Sequence, residues 1–363
     1  MTAMQAPWDI FCRVIDNYGD IGVCWRLARQ LATEYRLPIR LWVDDLPCLT
    51  ALHPGVVPDA NVQRIDGVHV CQWPENFPDT HPAAVVIEAF ACDLPDRYLQ
   101  SMARRDPPPC WINLEYLSAE PWVETCHGLA SPHPNLPCTK YFFFPGFGQN
   151  TGGLLREDGI FAQRDAYLGR QTQSDHLEIS LFCYETAPLG PLLDLWGQGA
   201  RKIRCYVPPG KPLAAVRTCL GGNGPWRRRH LEVLPVPFLP MEEYDRLLWR
   251  CDINFVRGED SLVRAIWAGK PFIWHIYPQD GNAHLAKLDA FLRRYTTSLD
   301  QHLGERIQRV FHAWNGSGNL ADEWPAFADD LDRLRTHTLD WGRHLAGATD
   351  LAASLVKFCA NRL

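Results

Sequence analysis

Long apolar runs are missing from this chain. No stretch approaches the ~18–20 apolar residues that a membrane-spanning helix needs, so the sequence predicts no membrane partner. Basic character is also short: 36 Lys and Arg stand against 42 Asp and Glu, a formal net charge of -6. A face that neutralises nucleic-acid phosphates needs an excess of cations, so nucleic acid is not an expected partner. The N-terminal MTAMQAPWDIF lacks the basic and long apolar regions of a secretory signal. Thirteen cysteines are scattered without a single CxxC pair. Odd-numbered, unpaired thiols fit a reducing compartment, so a cytoplasmic location is expected. Histidines such as His81, His127 and His133 show no HExxH spacing, and no metal site is expected. The turn after the first strand-like segment carries no GxGxxG, and no Walker A lysine occurs anywhere. Ordinary dinucleotide and P-loop readings are therefore excluded.

What is present describes a packed protein. Hydrophobic residues make up 46% of the chain and charged residues 21%, with 14 tryptophans. The 363 residues suit two domains of about 100–200 residues each. Short apolar runs alternate with helical patterns. Trp8–Val14 reads as a strand, Ile21–Tyr35 as a helix with Trp25, Ala28 and Leu31 on one face, and Ile39–Val43 as a second strand. The rhythm breaks at Tyr141–Asp158, an aromatic run followed by four glycines, which reads as a loop near a cleft. It restarts with strands at Leu177–Cys183, Lys202–Val207, Leu231–Leu234, Ile253–Val256 and Phe272–Ile276. Strands alternating with helices imply an α/β class with parallel sheets, here in two Rossmann-like halves that meet near residues 160–176. A ligand is expected in the crevice between such halves, at the carboxyl ends of the strands.

Two constellations carry chemistry. Asp16-Asn17-Tyr18-Gly19-Asp20-Ile21-Gly22 follows the first strand and opens the first helix. Asp20 and Asp16 fit a general base with an orienting carboxylate; they fit equally a helix cap and a turn-closing side chain. The second constellation, Arg257-Gly258-Glu259-Asp260-Ser261, stands between a strand and a helix. Amides at a helix start favour an anion. Ser261 adds a hydroxyl donor and Arg257 can fork onto phosphate oxygens. Glu259 and Asp260 suit sugar hydroxyls, or the orientation of donors, better than the anion itself. Phe182, Tyr184, Phe238 and Tyr277 all follow strand-like segments of the same half and offer faces on which a base or sugar stacks. The cluster Trp226-Arg227-Arg228-Arg229-His230 reads as a solvated basic loop.

DNYGDIG at Asp16–Gly22 and FVRGEDSLVRAIWAGKPFIWHIYPQ at Phe255–Gln279 resemble the bacterial protein-arginine rhamnosyltransferase family EarP. WDIFCRV before the first motif and FFPGF at Phe143–Phe147 extend the resemblance nearly end to end. It implies a GT-B glycosyltransferase fold, with two Rossmann-like domains facing a central cleft. The N-terminal domain (1–170) faces the acceptor and the C-terminal domain (171–345) binds the nucleotide sugar. A final helix within 346–363 returns to the first domain. It implies inverting transfer of rhamnose from dTDP-β-L-rhamnose to an arginine of translation elongation factor P, without metal or other cofactor. By position, Asp20 matches the family's base, Asp16 its companion and Glu259 a glutamate needed for activity. Arg257, Asp260, Ser261 and Tyr277 match residues around the donor diphosphate, and Phe182, Tyr184 and Phe238 those around the nucleoside. A monomer is the simplest expectation. From the residues alone, two rivals stay open: a GT-B transferase acting on a glycan or lipid-linked sugar, and a non-catalytic binder of the elongation factor.

Overall fold

A computed structural model describes residues 6–15, 18–172 and 174–363 of the chain; Asp16 lies outside the described residues. The chain divides into two compact units, Met1–Asp158 with Ala346–Leu363, and Gly159–Leu345. The division falls ahead of residue 170 because helix Ile160–Leu168 belongs with the second unit. There Arg164 Nη1 donates to the Trp267 carbonyl at 2.9 Å, and Phe161 meets the Trp267 ring edge-on.

The first unit holds strands β1 (Trp8–Cys12), β2 (Ile39–Val43), β3 (Val62–Ile65), β4 (Val68–Gln72), β5 (Val85–Ala89), β6 (Cys110–Leu114), β7 (Ala130–Pro132) and β8 (Thr139–Phe143). They form one sheet in the order β3-β4-β2-β1-β5-β6-β8-β7. β3 and β7 pair antiparallel at the edges; the strands between them are parallel. β1, β5 and β6 are buried along their whole length, as strands covered on both faces require. Two of their polar exceptions, Asp9 and Glu88, are paired. Asp9 accepts from Arg40 Nε at 2.5 Å. Glu88 accepts from the Trp111 indole at 3.0 Å and pairs with Lys140 at 2.9 Å.

The second unit holds β9 (Leu177–Leu181), β10 (Ile203–Val207), β11 (Trp226–Arg228), β12 (Leu231–Pro235), β13 (Ile253–Arg257) and β14 (Phe272–His275), in the order β11-β12-β10-β9-β13-β14. Only the edge strand β11 is antiparallel. Both sheets thus share a doubly wound core, β4-β2-β1-β5-β6 and β12-β10-β9-β13-β14. In each, chain order reverses beside the first strand, between β1 and β5 and between β9 and β13. Open α/β sheets bind ligands at the carboxyl ends of the strands at this point.

Two sequence expectations change here. The aromatic run at 141–143 is strand, not loop, with Phe143 buried in the sheet and Phe358 edge-on against it. The basic cluster at 226–230 supplies β11, where Arg227 pairs with Glu232 and Arg228 with Asp194. Among the described residues, no helix is long and apolar enough to cross a membrane.

Candidate functional site

The first functional turn leaves β1 and enters helix Gly19–Thr33. Tyr18 takes the N-cap position without a side-chain bond, so Asp20 does not cap the helix. It stands in the first turn, 5% exposed, and its Oδ2 accepts the Ile15 amide at 3.1 Å. The carboxylate is therefore tied to the backbone just after β1. Asp44, just after β2, accepts the Val14 amide at 2.9 Å. Cys12 lies beneath, fully buried. Its thiol is pushed up first by a hydrogen bond with Cys24, then by burial, with the Asp20 and Asp44 charges adding to the effect.

The second turn brings most of the remaining candidates together. Arg257 ends β13. Its guanidinium lies over the rings of Phe182 and Tyr184, 4.4 Å and 4.8 Å from their centroids. One Nη1–H donates to the Cys183 carbonyl at 3.2 Å. A guanidinium has five N–H donors, and this arrangement fixes its plane while leaving most of them for an anion. Ser261 is buried, and its hydroxyl accepts the Arg257 amide at 3.1 Å and donates to the Arg257 carbonyl. The side chain thus braces Arg257, and is turned inward instead of toward a phosphate. Gly258 takes a left-handed φ of 65°, with the Tyr184 hydroxyl 3.6 Å from where a Cβ would stand. Glu259 takes the N-cap position of helix Asp260–Ala268 without a side-chain cap bond and Asp260 opens the helix, both half-buried. Tyr277 is half exposed and stands edge-on to Tyr184, 5.6 Å between centroids. Phe238, half-buried, follows β12.

Two participants escaped the sequence. His275 is buried behind Tyr184, accepts the Tyr184 amide on Nδ1 at 3.3 Å and stands 3.5 Å from the Thr186 hydroxyl on Nε2. Burial, with the Arg257 charge adding, lowers its pKa to about 4, so it is neutral near pH 7. Lys211 places Nζ 5.6 Å from the Tyr184 centroid and 3.9 Å from Glu185. Its signal was a basic residue in the turn after a strand of the same half, in PPGKP. Among the described residues, no group of three or more His, Cys, Asp or Glu side chains is placed to hold a metal ion.

The arrangement has parallels. A solved structure described as the structural basis for EarP-mediated arginine glycosylation of translation elongation factor EF-P matches 99% of this chain and 100% of its own at 34% identity, with a TM-score of 0.67. A UDP-glucosyltransferase from Polygonum tinctorium shares the fold at 10% identity and a TM-score of 0.51. The protein-arginine rhamnosyltransferase of Pseudomonas putida is 46% identical over 379 residues, covering 99% of this chain and 100% of the relative. That of Neisseria meningitidis serogroup B is 35% identical over 97% of this chain and 96% of the relative. Two doubly wound sheets, each with candidate site residues at its reversal point, define a GT-B glycosyltransferase. The family described as Elongation-Factor P (EF-P) rhamnosyltransferase EarP matches residues 8–360, and the chain belongs to it.

Proposed function

We propose that this chain transfers rhamnose from dTDP-β-L-rhamnose to one arginine of translation elongation factor P, with inversion at the anomeric carbon. It works as a cytoplasmic monomer and needs no metal. The observation that carries the reading is Arg257, clamped over Phe182 and Tyr184 at the reversal point of the second sheet. It sits in a chain that matches protein-arginine rhamnosyltransferases along its whole length.

A guanidinium titrates above about 12 and delocalises its lone pairs, so it is a poor nucleophile. Asp20, with Asp16 as its companion, orients one nitrogen and takes its proton as that nitrogen bonds to C1 of the sugar. The C1–O bond to the diphosphate breaks in the same in-line displacement, and dTDP departs carrying the electron pair. Charge gathers on the leaving diphosphate. Arg257, the amides at the start of helix Asp260–Ala268 and the Tyr277 hydroxyl stabilise it, the task a divalent cation performs elsewhere. Phe182, Tyr184 and Phe238 receive the nucleoside. Glu259 and Asp260 position the sugar and this network.

The test is incubation of the protein with dTDP-rhamnose and elongation factor P, followed by intact-mass and peptide analysis. A gain of one deoxyhexose on a single arginine is expected, and it persists in EDTA. No gain on a folded acceptor sinks the reading. Asp20→Asn is expected to fold and bind dTDP while losing at least about 100-fold in turnover; near-normal turnover removes Asp20 from the role of base.

A further inference from the structure

Two carboxylates grip consecutive amides at the exit of β1. The Val14 amide donates to Asp44 Oδ1 at 2.9 Å, and the Ile15 amide to Asp20 Oδ2 at 3.1 Å. The second bond spans five residues of the same turn, whereas the first joins residues 30 apart. Cys12 and Val43 are the last paired residues of β1 and β2, so Asp44 meets Val14 just beyond the sheet. Packing does little for this segment. Arg13 and Ile15 are exposed, Ile15 at 68%, and Val14 is half-buried. A backbone that apolar contacts do not hold keeps its path through its hydrogen bonds. Only the φ and ψ of Val14 lie between the two gripped amides, so one cannot turn without pulling on the other.

Asp44 is a fixed post for this grip. Its carbonyl accepts the Gln72 side-chain amide at 2.9 Å, and the preceding Val43 carbonyl accepts the Trp73 amide at 2.8 Å. On its other side Asp45 caps helix Leu46–Leu52 by accepting the Cys48 amide at 3.1 Å. The second Asp44 oxygen, Oδ2, stands 4.0 Å from Arg13 Nε, and the Arg13 side chain is 49% exposed. An ion pair that long and that open contributes little. The bond to the Val14 amide is therefore the Asp44 contact with a consequence.

We propose that Asp44 is a positioning residue for the transfer reaction: by holding the Val14 amide it fixes the Val14–Ile15 backbone against which Asp20 is aligned. It acts through Asp20, and rests on the reading of Asp20 as the base. A base works only within hydrogen-bond reach of the proton it takes, and a displacement of about 1 Å costs on the order of 100-fold in rate. Without the Asp44 carboxylate the Val14 amide turns away, the Ile15 amide moves with it, and Asp20 loses a bond that sets the plane of its carboxylate.

The test is steady-state transfer to elongation factor P by the full chain, with the acceptor varied at saturating dTDP-rhamnose and rates given per folded molecule. Asp44→Ala is expected to lower kcat about 10–100-fold, with the acceptor KM and the calorimetric dTDP Kd within about twofold of wild type. A first unit that is merely loosened would raise the acceptor KM as well, because the acceptor docks there in the same reading. Asp44→Asn keeps an acceptor oxygen for the Val14 amide and is expected to restore kcat to within about fivefold. Arg13→Ala removes the ion pair and spares the amide bond, so kcat should stay within about twofold. Should the alanine variant fail to fold, Asp44→Leu removes the acceptor with less loss of volume. A wild-type kcat in the acceptor-less variant overturns the positioning role. So does an asparagine variant as impaired as the alanine one, an equal loss in Arg13→Ala, or a parallel rise in acceptor KM or dTDP Kd. An impaired Asp20→Asn beside an unaffected Asp44→Ala overturns only this role. Near-normal turnover in Asp20→Asn, or absence of wild-type transfer, overturns the functional reading and the positioning role with it.

Discussion

At the residue scale, burial decides which groups carry charge. His275 illustrates this: Nδ1 accepts the Tyr184 amide, which requires a deprotonated nitrogen, and its pKa is lowered to about 4. In the unfolded chain a histidine titrates near 6.5. Between those values the unfolded state binds more protons than the folded one, so stability falls as pH drops through the window. His127 and His337, lowered chiefly by burial, act with the same sign. For His275 the loss from pH 7 to pH 5 is on the order of 2 kcal/mol. His275→Asn keeps an acceptor for the Tyr184 amide and removes the titration. Urea unfolding at the two pH values should therefore show a flatter dependence in the variant. Equal slopes for variant and wild type would remove His275 from the account. The sequence offered Tyr184 and Tyr277 as stacking faces; Tyr184 is buried and Tyr277 half exposed, and nothing signalled the imidazole behind Tyr184, because a single histidine at a strand end has no period or spacing.

At the element scale, helix Asp260–Ala268 follows the Arg257 turn and stops at Gly269, which has a left-handed φ of 66°. A Cβ there would stand 2.9 Å from Leu339 Cδ1 and 3.2 Å from Arg164 Nη1. Gly269→Ala combines a left-handed backbone cost of about 1–2 kcal/mol with crowding. The expected outcome is a fall in Tm of roughly 2–6 °C with dTDP affinity retained in the folded protein; an unchanged Tm would show that the neighbours yield freely. Elements of this kind were largely legible. Runs such as WDIFC and FIWH are continuous apolar stretches because parallel strands are covered on both faces. Helix Gly19–Thr33 could be read from its periodicity. Two strands were not legible. Thr139–Phe143 ends in an aromatic run that leads into glycines, and the glycines dominated the local signal. Trp226–Arg228 is an edge strand whose arginines look like loop residues until Glu232 on the adjacent strand neutralises Arg227. Helix Lys211–Leu220 was hidden behind PPG, although Gly210 and Pro212 are an ordinary way to open a helix. Ser261 shows the limit of residue typing: its hydroxyl was legible as a donor, but the recipient was a carbonyl four residues back.

At the scale of the whole molecule, the two sheets repeat one topology, but the chain does not end where it entered the second unit. Ala346–Leu363 belongs with the first. That destination came from the family resemblance; the sequence pattern itself specified only a helix. The contacts supply the physical reason. Leu351, Ala352, Leu355 and Cys359 of helix Leu351–Ala360 are buried, and Asp350 caps it by accepting the Ala353 amide at 3.0 Å. The Leu351 amide donates to the Leu154 carbonyl at 3.0 Å, and Arg156 Nη1 donates to the Ala346 carbonyl. Gly153 is left-handed at φ 77°, and a Cβ there would meet the Thr349 carbonyl at 2.2 Å. Each buried leucine is worth about 1.5–3 kcal/mol, against a domain stability of about 5–15 kcal/mol. Deleting residues 346–363 therefore strips the first unit of a large share of its margin, and leaves the Arg257 turn in the second unit with all its contacts. The truncated chain should lose transfer to the acceptor, show early proteolytic cleavage within residues 6–158, and still bind dTDP in calorimetry. Transfer at the full-length rate would show that the returning helix contributes no stability the Asp20 turn depends on, and loss of dTDP binding would show that the second unit does not by itself bind dTDP.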